Sequence, residues 1–115
     1  MAKKILTREE ILNVKDIKQE EVEVSEWGGS VLVQSLSGER RGEVIDTCMN
    51  DKGKMVTTKL YPLLLIEGCV EPKFTREDFA AINNKNSGAL EKVAQAIMKL
   101  SGISKDDLEE AEKNS

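Results

Sequence analysis

A small, mainly α-helical α+β domain with one N-terminal β-hairpin is the fold class that this sequence predicts. Three observations predict it. Helix-capping signatures precede apolar stripes at helical spacing, at Thr7 with Glu10, Ser37, Thr75 with Asp78, Ser87, and Ser104 with Asp107. Two Val-rich segments that alternate with period two flank Gly28-Gly29. A length of 115 residues with 39% hydrophobic and 33% charged residues fits one domain, 1–115, able to bury a core without staples.

The elements follow in order. Thr7 and Glu10 form a capping box for a short helix over TREEIL, and 14–18 reads as a connector. EEVEVSE, 20–26, and 30–35 read as the two strands of a hairpin spanning about 20–35. With Gly28-Gly29 as the central residues of a two-residue turn, where positive φ demands glycine, Trp27 pairs with Ser30 and Val24 with Val33. Val22, Val24, Val31 and Val33 then share the core-facing side, and Trp27 falls on the other face with Leu32.

Helices are expected over about 38–113. Ser37 caps a helix from Gly38 to Asn50 whose Val44, Ile45, Cys48 and Met49 form one apolar face. NDKGK, 50–54, is a turn. Met55 to Gly68 reads as a central buried helix that Gly68 and Pro72 stop. Proline in a helix interior costs ~3 kcal/mol, so this helix either starts near Tyr61 or kinks at Pro62. Thr75 caps REDFAAIN, and Ser87 caps the longest helix, with Leu90, Val93, Ala94, Ile97 and Leu100 as its core stripe and Gly102 as its end. A last, highly charged helix carries only Leu108 and Ala111 as apolar residues; 1–6 and 104–115 are the looser flanks.

Composition excludes several function classes. A net charge of −4 and a pI near 5.0 provide no basic field for phosphates, so no nucleic-acid partner is expected. The chain has no histidine, and Cys48 and Cys69 have no ligand-type neighbours, so no metal or other cofactor is expected; both thiols read as small buried hydrophobes, with a disulfide left open. Catalysis near neutral pH most often recruits histidine. The carboxylates Glu20, Glu21 and Glu23 read as solvent-facing, no Gly-Lys-Ser/Thr step follows the glycines, and an enzyme is not expected. No apolar run approaches the ~20 residues of a membrane span, and the first residues lack a signal-peptide core, which predicts a cytoplasmic protein.

What is left is surface. Two roles fit Trp27: an indole folded back onto the helices, or an interface anchor. The anchor role predicts that Trp27→Ala weakens binding more than stability. The charged C-terminal helix is likewise either a solvated tail or a segment that docks through Leu108.

The run EVEVSEWGGSVLVQSLSGERRGEV, preceded by the short capped helix, resembles the opening of the tail assembly chaperones of long-tailed bacteriophages and prophages. The second half, from VEPKFTREDFAAINNKNSGALEKV to the terminal EKNS, is similar to that family as well, so the resemblance covers nearly the whole chain. Serine before Glu26, where proline is common in the family, and Pro62 are departures. The resemblance implies a non-catalytic protein of the bacterial cytoplasm, absent from the mature virion. Its implied work is to coat the tape-measure protein during assembly, recruit the major tail protein and self-associate. A structural tail or connector component retained in the virion is the alternative. Trp27 and Leu32 are the expected partner contacts, joined by Leu108.

Overall fold

The four valines form the sheet's contribution to the core, as their alternation predicts. In a computed structural model describing residues 4–104, β1 (Gln19–Val24) and β2 (Gly29–Gln34) pair antiparallel. Val22, Val24, Val31 and Val33 are 8%, 0%, 7% and 0% exposed. The register differs from the expected one: Val24 lies opposite Gly29 and Val22 opposite Val31. Ser25–Trp27 wind into a single 3-10 turn, and Gly28 closes it at φ 73 with its N–H on the Ser25 carbonyl at 3.1 Å. The loop therefore takes four residues rather than two. Gly28 alone needs the left-handed region, whereas Gly29 is an ordinary strand residue. Both registers pair an even-numbered residue of the first strand with an odd-numbered one of the second. The buried face survives the slip because side chains alternate with period two.

The fold is α+β, and the sheet has a third strand that the pattern did not suggest. β3 (Cys69–Glu71) follows a helix directly and pairs antiparallel with β2, giving the order β1-β2-β3. Three residues are too few for a periodic signal, and only pairing with β2 defines this strand.

Among the helices, α1 (Arg8–Asn13) carries the expected capping box: Thr7 Oγ1 accepts from the Glu10 N–H, and the Glu10 carboxylate accepts from the Thr7 N–H. α2 (Gly38–Cys48) is capped by Ser37, whose Oγ accepts from the Arg40 N–H at 3.2 Å; it buries Val44 and Cys48 and ends two residues early. Asn50 organises the 50–54 turn, its Oδ1 accepting from the N–H groups of Lys52 and Lys54. α3 (Thr57–Gly68) is the central buried helix, with Leu60, Leu63, Leu64, Leu65 and Ile66 at most 6% exposed.

Pro62 lies inside α3, so the expected start near Tyr61 is corrected to Thr57. Its ring is fully buried, and the carbonyl that loses a donor belongs to Thr58, which is exposed to water near the helix start. That location moderates the cost of an interior proline. Gly68 is the last residue of α3 and has no positive φ; the helix ends in extended Cys69. A Cβ at Gly68 would meet Ile97 Cδ1 and Cγ2 at 2.7 Å. Its smallness serves close packing against the last long helix.

After a cis Glu71–Pro72 peptide, Thr75 donates its N–H to Asp78 Oδ2 at 2.9 Å; this box opens a 3-10 turn (Arg76–Asp78) that runs into α4 (Phe79–Asn83). α5 (Ser87–Leu100) buries Leu90, Val93, Ala94 and Ile97, as the stripe predicts, together with Ala89. The cap is Asn86 rather than Ser87, with Asn86 Oδ1 accepting from the Ala89 N–H at 3.0 Å. Asn86→Ala should therefore cost about 1 kcal/mol of stability and Ser87→Ala only a few tenths, as read by urea denaturation. Equal costs would return the cap to Ser87. Gly102 at φ 69 ends the helix, and Ser101 ties it to the sheet: its Oγ accepts from the Leu36 N–H at 2.8 Å. α3 packs on α2, α4 and α5, and α5 in turn packs on β1 and β2, so the core lies between the valine face and the leucines of α3.

Candidate functional site

The 3-10 turn decides where the indole goes. Because Ser25–Trp27 curl instead of continuing the strand, Trp27 is corrected from the outer sheet face to a half-buried position packed against the core. It walls a groove with Leu65 of α3, Phe74, and Asp78, Ala81, Ile82 and Lys85 along the α4 segment; the groove volume is about 370 Å³. The floor is aliphatic and aromatic. Asp78 is held by its bond to the Thr75 N–H, so its carboxylate is committed to the helix cap.

Leu32 is elsewhere. It stands half-buried on the outer face of the sheet, beside a shallow depression shared with Glu21, Ser30 and Glu71. The expected pairing of Trp27 with Leu32 on one face is therefore not formed: one side chain belongs to the helix side of the molecule and the other to the open sheet. Leu108 and the helix expected around it lie outside the described residues. With part of the indole in the core, Trp27→Ala should lower stability measurably as well as alter the groove, which corrects the expectation of a purely surface effect.

A larger apolar surface lies where no contact was expected. Among the described residues, the large hydrophobic side chains that stand exposed are Ile5 (92%), Leu6 (55%), Ile11 (55%), Leu12 (65%), Val14 (58%) and Ile17 (46%). All belong to the arm that precedes β1. α1 within it buries no residue. Soluble domains rarely leave so many aliphatic groups open in one segment. The sequence holds a signal for this: six large aliphatics within 5–17, in a stretch whose one helix is too short to fold over them.

The arm is nevertheless ordered locally. Besides the capping box, Lys4 Nζ donates to the Glu10 carboxylate, and these partners hold Glu10 below the usual carboxylate pKa range, Lys4 foremost. Leu6 and Ile11 occupy the two positions of a hydrophobic staple around the Thr7 cap. The helical turn is formed before any partner arrives.

Other polar clusters serve the fold. Glu67, with its side chain 12% exposed, receives Arg40 at 3.3 Å and Arg76 at 3.4 Å, joining α2, α3 and the turn before α4. Both cysteines are buried and free. Burial pushes the Cys69 thiol up to about 12 and the Cys48 thiol up to about 11, from an ordinary 9.0. Native protein at pH 8 should therefore leave Ellman's reagent unreduced until denaturant is added, and rapid reaction of two thiols without denaturant would contradict their burial. Between pH 9 and 11 the unfolded chain loses thiol protons that the folded chain keeps, so stability falls as pH rises through that window.

Among the described residues, no group of three or more Cys, Asp or Glu side chains could hold a metal ion, and no helix is long and apolar enough to cross a membrane. Family models, curated proteins and solved structures compared with the chain yield no match.

Proposed function

We propose that this chain is a non-catalytic tail assembly chaperone of a long-tailed phage or prophage. It acts in the bacterial cytoplasm, binding the tape-measure protein, helping to recruit the major tail protein and associating with its own copies. The observation that carries this reading is the exposed aliphatic surface of residues 5–17, which is suited to protein contact and to no covalent chemistry. The resemblance of EVEVSEWGGSVLVQSLSGERRGEV to that family supplies the identity of the client.

Holding an extended helical client calls for shallow apolar surface that can be repeated along its length. The net charge of −4 keeps such assemblies soluble. Co-expression of the full chain with the large coiled-coil protein encoded beside it, followed by affinity capture of either, should recover both. Failure to co-purify, with both proteins folded, would remove the tape-measure protein as client. Mass spectrometry of purified particles addresses the virion component: a chaperone is absent from them, and its presence at stoichiometric level would favour the structural reading.

A further inference from the structure

We propose that the arm of one chain, residues 4–18, seats its aliphatic side chains in the Trp27 groove of a second copy. The inference deepens the reading of this chain as a self-associating protein and does not depend on what the client is.

The same molecule presents two unpartnered apolar features. One is convex: Ile5, Leu6, Ile11, Leu12, Val14 and Ile17 on an arm whose helical turn is already capped. The other is concave: the groove of about 370 Å³ floored by Leu65 and Ile82 between Trp27 and Phe74. That volume is at the lower end of what binding pockets occupy, suited to a few aliphatic side chains rather than to a whole helix lying lengthwise. A preformed turn that projects Ile11 and Leu12 has the form of such a ligand, and its caps reduce the ordering cost of docking.

Geometry favours a second copy over the chain's own arm. The arm leaves the sheet at Lys18, whose N–H donates to Ser35 Oγ and whose carbonyl accepts from the Ser35 N–H at the open end of the hairpin. Trp27 lies at the closed end, and six-residue strands set the two ends roughly 20 Å apart. To fill its own groove the arm would have to double back along the hairpin with its connector stretched almost fully. A neighbouring chain's arm meets no such constraint.

The area is of the right order. The arm offers several hundred Å² of aliphatic surface, and Phe74, Ala81 and the indole add to the opposing side, against about 800 Å² per partner in a standard interface. Each chain has one arm and one groove, so the contact is head to tail and continues into a ring or an open chain.

The experiment is sedimentation velocity of the full chain from micromolar to submillimolar concentration, with two variants checked for fold by circular dichroism. Ile11→Asp with Leu12→Asp spoils the arm, and Ala81→Glu obstructs the groove; all three positions are exposed, so folding is not at risk. Wild type should grow beyond monomer with concentration. Each variant alone should stay monomeric, and an equal mixture should give a one-to-one complex, because one intact arm and one intact groove remain. Ala81→Lys should behave as Ala81→Glu does, showing a steric block rather than a charge effect. Emission of the single tryptophan should shift to shorter wavelength as wild type associates.

A wild type that stays monomeric overturns the proposal. So does undiminished association of either variant, a mixture that does not form the complex, or unchanged tryptophan emission in an associating wild type. Loss of client capture with self-association intact would instead count against the chaperone reading alone.

Discussion

Leu64→Ala is expected to destabilise the fold by roughly 2–5 kcal/mol, while Leu12→Ala changes stability by no more than about 0.5 kcal/mol. Both leucines are helical. Leu64 is 0% exposed at the centre of α3, where α2, α4 and α5 converge, and its truncation leaves a cavity the surrounding helices cannot close. Leu12 is 65% exposed and packs on nothing that the truncation would open. Urea denaturation of both variants reads the difference directly. A loss above 2 kcal/mol for Leu12→Ala would mean that the arm is docked onto its own chain, and would withdraw the surface on which both the proposed function and the proposed self-association depend.

The second large effect is at the α3–α5 crossing. Gly68→Ala is expected to cost about 1–3 kcal/mol even though alanine is the better helix former. A Cβ there would lie 2.7 Å from two carbons of Ile97 and 2.9 Å from a third, and Ile97 is itself 0% exposed in a filled core. Three atoms of a β-branched side chain cannot all swing away at once. Pairing the change with Ile97→Ala should reveal coupling: the double variant should be more stable than the sum of the single losses allows. Strict additivity would show that the helices separate freely at this point.

These predictions divide the molecule into a frame and a working surface. The frame is the valine face, α3 and α5. The working surface is the arm and the Trp27 groove, which lie at opposite ends of the hairpin. A substitution in the frame should lower stability and function together, whereas one in the arm should lower association alone.

The caps at Thr7, Ser37 and Thr75 and the stripe of α5 were legible because each is a local arrangement, fixed by side chains within a few residues of the backbone they serve. The hairpin's buried face was legible even though its turn was not, since alternation survives an even slip in register. The turn itself depended on whether Ser25–Trp27 extend or curl, which two glycines in succession do not decide. The cap of α5 moved by one residue because Asn86 and Ser87 are both good caps, and only the backbone at Asn86 aims a side-chain oxygen at the Ala89 N–H.

By itself, the sequence determined the α+β class, the four-valine face, the buried central helix and the absence of histidine chemistry, because composition, period and capping are properties of neighbouring residues. Tertiary structure alone decided that β3 joins the sheet, that Gly68 is small for the sake of Ile97, that the indole turns toward the helices and that the arm is left uncovered. Each of those depends on which distant surface a residue meets, and a surface of that kind exists only after the chain has folded.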